Sequence, residues 1–304
     1  TLASSISMSG GTLDADETAT VSGALSHSAD ITIDVATNKT LTYSGAAISV
    51  GANTLYLQGG GNLVSGGLTL NDASSKIELR GLTVDIVSTS VDNSLGLYVG
   101  IESTVSSLLV SNILPVAIEV GRSLSGAITV TNNGTLKLIG DWANRSGLLL
   151  SSVSMSGGTT LEADISLKVN GALTHTGNIT IDVADTETLT LNSGTAISVG
   201  ANTLTLTGGG SLVSGGLTLD NADSKLLLNS ITVDSVSTSA DSSGLDVDDD
   251  STVTSLSVAN ITPIAIADGI SLSGAITVTA GSIKLAETGT LASSISMSGG
   301  VLDA

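Results

Sequence analysis

Asp246-Val-Asp-Asp-Asp250 places four carboxylates in five residues, Asp246, Asp248, Asp249 and Asp250. Alternating acidic oxygens are a Ca²⁺-ligating pattern. The run lacks the Gly and Glu spacing of an EF-hand loop and the Gly-Gly-x-Gly-x-Asp nonapeptide. A related segment, Tyr98-Val-Gly-Ile-Glu102, could not ligate in the same way. A solvated acidic loop is therefore the simpler reading, and Ca²⁺ is the one cofactor the residues admit. The two histidines, His27 and His175, stand in matching contexts, Ala-Leu-Ser-His-Ser and Ala-Leu-Thr-His-Thr. Neither has a Cys or second His at ligand spacing, so a structural or exposed histidine is expected rather than zinc. Catalysis on a polysaccharide needs clustered acids, or a base beside a bound cation, on one face. Arg80, Arg122 and Arg145 are the only arginines and lie far apart in sequence. Asp34, Asp182, Asp85 and Asp234 recur in register, but alternation puts them on an outer face or at corners. No Gly-x-Ser-x-Gly, nucleotide loop or redox motif appears, so no catalytic residue is assigned. Thr203-Leu-Thr205 resembles an ice-binding pair, although such pairs are irregular along the chain. Trp142, in Gly140-Asp-Trp-Ala-Asn-Arg145, sits in a segment that one half has and the other lacks. It could touch a neighbour or a sugar, or cover its own chain.

These residues are carried by a long internal repeat. Thr1 to Gly11 returns letter for letter as Thr290 to Gly300, with a diverged form at Leu150 to Gly158. Aligning Ile6, Val153 and Ile295 gives a first unit at 6–152, a second at 153–294 and the start of a third at 295–304. A repeat fixes the architecture before any other feature. Within each unit, short runs such as Ile31-Thr-Ile-Asp-Val35 alternate apolar and polar residues, the period of a strand with one face buried. Ser-Gly, Thr-Asn and Gly-Gly separate them as turn chemistry. No window holds a helical stripe. The only prolines, Pro115 and Pro263, fall at one place in the two units, and a strand start, bulge or corner is expected there.

The fold expected is all-β: one continuous parallel β-helix, or β-solenoid, over 1–304. It has ~22 residues and three strands per coil, about 13 coils in all, and the right-handed sense is the commoner one for parallel crossovers. Ile31, Ile33, Val35, Leu68, Leu70, Ile128 and Val130 should point inward, as should Ile179, Ile181, Val183, Leu217, Leu219, Ile276 and Val278.

Composition narrows the function. Aromatics are 1% of the chain, cysteines are absent, and 28 acidic against 9 basic residues leave a net charge of −19. That charge argues against nucleic acid, which asks for a basic stripe, and against an anionic membrane surface. No apolar run reaches the ~18 residues of a spanning helix, so no membrane insertion is expected in this stretch. The absence of cysteines leans towards a bacterial surface, although on its own it fits the cytosol equally well.

The Ser/Thr/Gly/aliphatic texture resembles the surface β-solenoids of bacteria: autotransporter passengers, filamentous-haemagglutinin-type adhesins and related fibrous repeats. The resemblance covers the whole chain and rests on texture. It implies an extracellular or cell-surface structural protein that forms a rigid rod or filament without catalysis. The alternative is a carbohydrate-binding adhesin or a polysaccharide-active β-helix enzyme. The expected partner is the protein itself, end to end or within a longer tandem chain, with surface polysaccharide as a second partner. Because Val301-Leu-Asp-Ala304 repeats the register of Thr12-Leu-Asp-Ala15, these residues are expected to be a cut from a longer array.

Overall fold

A computed structural model describes residues 1–92, 94–140, 147–191, 196–285 and 289–303. Two compact units emerge, Thr1–Ser154 and Met155–Ala304. Every regular element among the described residues is a strand, and within each unit the strands pair in parallel. The chain is an all-β parallel β-solenoid of about 14 turns counted over both units, against the ~13 expected from strand spacing. Turn length is uneven: a residue meets its neighbour one turn on after as many as 25 residues, at Thr180 and Thr205, or as few as 19, at Thr69 and Ser88.

Each turn in the first unit follows one plan. A strand such as Thr54–Gln58 forms one sheet, and two short strands, Asn62–Val64 and Leu68–Leu70, form the arms of a second. The next turn begins at Lys76–Arg80, in register with Thr54–Gln58 through five consecutive pairs. In later turns the two arms merge into one bent strand, as in Ser103–Val110 and Ser123–Val130. The bend is built by glycine. Gly126 has φ +125°, and a Cβ there would lie 1.7 Å from the Val105 carbonyl oxygen. Gly274 repeats this in the second unit, with φ +126° and Val253 O at 1.8 Å. The pairing register slips beside both, between Val105 and Ser107 and between Val253 and Ser255.

The period-two pattern is realised in space. Strands Ile31–Val35 and Ile179–Val183 alternate buried and half-buried residues, and all fourteen aliphatics expected inside are buried. Leu and Ile from successive turns stack directly, for example Ile33 on Leu57 and Ile181 on Leu206. A stack this narrow is filled mainly by aliphatics, with Tyr43 and Met155 among them, each turn burying its face against its neighbours.

The prolines depart from expectation. Pro115 and Pro263 each sit third within a strand, Ile113–Ile118 and Ile261–Ile266, at no bulge or corner. Each pairs with the following turn, at Lys137 and Lys284. On the preceding side the ladder begins only one residue later, at Leu97 with Val116 and at Leu245 with Ile264. The missing N–H therefore falls where no ladder bond is asked of it.

Candidate functional site

Several polar residues that the two units share bond the backbone of neighbouring turns. Ser75, fully buried, donates its hydroxyl to Gly51 O at 2.6 Å and accepts from the amides of Asn71 and Asp72. Ser224 does the same with Gly200, Asp220 and Asn221. Asp85 accepts from the amide and hydroxyl of Ser65 at 2.7 and 3.0 Å, and Asp234 accepts from those of Ser214 at 3.0 and 3.2 Å. Both aspartates also receive the amide of the following residue, Ile86 and Ser235. They thus tie the bend of one turn to the arm of the preceding one. Asp34 lies on an outer sheet face and accepts from Gln58 Nε2 at 2.8 Å. Asp182 occupies the matching place, in register with Glu162 and Thr207.

His27 and His175 bridge in the same way. The His27 nitrogens lie 3.0 Å from Ala29 O and 3.1 Å from Ser49 O, and those of His175 lie 3.0 Å from Gly177 O and 2.9 Å from Ser198 O. Both rings therefore link one turn to the next. Each ring thus lies between two backbone carbonyl oxygens.

The four aspartates do not converge. Asp246 forms an ion pair with Lys225. Asp249 accepts from the Asp250 amide, and Asp250 accepts from the amide and hydroxyl of Ser271 at 2.8 and 2.9 Å. Asp248 is exposed beside them. Among the described residues, no three His, Cys, Asp or Glu side chains gather as metal ligands. The arginines are dispersed too: Arg80 pairs with Glu78 and Arg122 with Glu102. Arg145 and Trp142 lie outside the described residues. Thr203 and Thr205 share an outward face with Thr180, but the next turn answers them with Lys225 and Leu227, so no regular threonine array forms.

One cluster escaped the sequence reading. On the outward face of the first unit, Tyr56, Glu78 and Tyr98 stand in one column, because Tyr56 pairs with Glu78 and Glu78 with Tyr98. Glu78 is 8% exposed, although it faces outward. It is held on one side by Arg80, with Nε at 2.8 Å, and on the other by Lys76 at 3.3 Å. The Arg80 guanidinium lies 5.2 Å from the Tyr56 ring centre, and the Lys76 ammonium 5.0 Å from that of Tyr98. Both contacts are within cation–π range. An apolar cavity of about 210 Å³ adjoins the cluster, lined by Lys76, Tyr98, Leu95, Leu97, Ala117 and Ile139. The spacings 56 to 78 and 78 to 98 are each close to one turn, and that was the available signal. No family model, curated protein or solved structure matches the chain.

Proposed function

We propose that this is a structural repeat protein of the extracellular space or cell surface, working as a rigid, non-catalytic filament element. One observation carries this reading. Three pairs of polar residues common to both units, Ser75 and Ser224, Asp85 and Asp234, His27 and His175, bond the backbone of adjoining turns. What the repeat keeps is thus what ties turns together, and such ties favour stiffness and resistance to local opening. The texture of small aliphatics, Ser, Thr and Gly fits a surface β-solenoid, and a net charge of −19 fits a soluble exterior. The test is protease challenge together with negative-stain electron microscopy of purified protein. The reading expects resistance to trypsin and proteinase K, and filaments once charge is screened. Rapid digestion, or monodisperse particles under all salt conditions, would reject it.

A further inference from the structure

We propose that the outward face of the first unit around Tyr56, Glu78 and Tyr98 binds hexopyranose units of a glycan. A glycan site here requires no filament, so the failure of either idea leaves the other standing. The second unit acts as an internal control. It builds the same sheet with Thr205 in place of Tyr56, Leu227 for Glu78, Asn229 for Arg80 and Asp246 for Tyr98, keeping only Lys225. The fold therefore does not need the cluster. Yet two of the three tyrosines of a chain with 1% aromatics stand on this one face.

The chemistry suits a sugar. Both rings are half-buried, so part of each remains open, and each is oriented by the cation against it. Rings held in place lose little entropy on binding. One strand separates them, which at ~4.8 Å per strand puts them roughly 10 Å apart, a span of disaccharide size. Between them, the nearly buried Glu78 carboxylate holds Arg80 and Lys76 in place, and the Arg80 side chain, 43% exposed, offers guanidinium donors. The hydroxyl oxygens of a sugar ring accept from such a planar set of donors. The cavity beside Tyr98 would take an apolar substituent such as an acetyl methyl.

Other ligands fit less well. A peptide adding itself as a strand needs an unpaired sheet edge. Here Thr54–Gln58, Lys76–Arg80 and Gly96–Ile101 are each paired on both sides. A nucleic acid would meet a net charge of −19, against the basic footprint it requires.

The test is calorimetric titration of the full chain with chitohexaose and with cellohexaose. At least one should bind. Tyr56→Ala and Tyr98→Ala should each weaken that binding about ten-fold or more. Tyr98→Phe should keep it within about three-fold, and Thr205→Ala, at the matching place in the second unit, should leave it unchanged. If an alanine variant melts early, Tyr56→Leu and Tyr98→Leu preserve bulk without an aromatic ring and should lose binding equally. The proposal is overturned if neither hexasaccharide binds, if binding survives both tyrosine substitutions, or if Thr205→Ala weakens it as much as they do.

Discussion

Single residues here hold turns together, and their loss should be measurable. Ser75 and Ser224 are fully buried, and each hydroxyl serves one carbonyl and two amides. Replacing either with alanine leaves three part-buried backbone groups short of a partner, for about 1–2 kcal/mol of destabilisation. A midpoint shift in urea at unchanged slope would register it. Ile181 is 0% exposed and stacks on Leu161 and Leu206. Ile181→Asp buries an unpaired charge and should cost more than about 4 kcal/mol. An unchanged melt would remove the inward assignment of that strand. Thr180, beside it on the outward face, should tolerate Ser with less than ~0.5 kcal/mol of change.

The bend of the merged arms depends on glycine at the element scale. At Gly126 and Gly274 a Cβ would sit 1.7 and 1.8 Å from a carbonyl oxygen of the preceding turn, and φ is positive at both. Either change to alanine must push two turns apart as well as strain the backbone, so a cost above ~3 kcal/mol is expected. Gly121 supplies the contrast: φ is +75° but nothing lies within 4 Å. Gly121→Ala should cost only the conformational strain, about 1 kcal/mol. Thermal melts of the three variants side by side test the distinction. Equal losses would mean that the close approach at the bend does not matter.

Charge governs the behaviour of the whole molecule. With 28 acidic against 9 basic residues, copies repel one another until salt shortens the range of the field to ~10 Å or less. Self-association should therefore be negligible at low ionic strength and rise with NaCl, and at lower concentration with Ca²⁺, which bridges carboxylates. Light scattering across a salt series checks this. Association that ignores ionic strength would mean that exposed apolar residues such as Val301 and Leu302 drive it instead.

Much of the molecule was legible without coordinates. Alternation of aliphatics with Ser and Thr determined which side of each strand faces inward, since a side-chain period of two leaves one buried face. A repeat of Ile31-Thr-Ile-Asp-Val35 as Ile179-Thr-Ile-Asp-Val183 determined that the same turns return. Which residues touch across turns was decided only in three dimensions. Turn length varies between 19 and 25 residues, so counting along the chain cannot by itself say that Tyr56, Glu78 and Tyr98 share a column. The register is set by core stacking, Leu55 on Ile77 and Ile77 on Leu97, and the outward residues follow. The prolines teach the same lesson. Their missing N–H was visible in the sequence, but its harmless place inside a strand depends on where the ladder to the preceding turn begins, and that is a property of two turns packed together rather than of either segment alone.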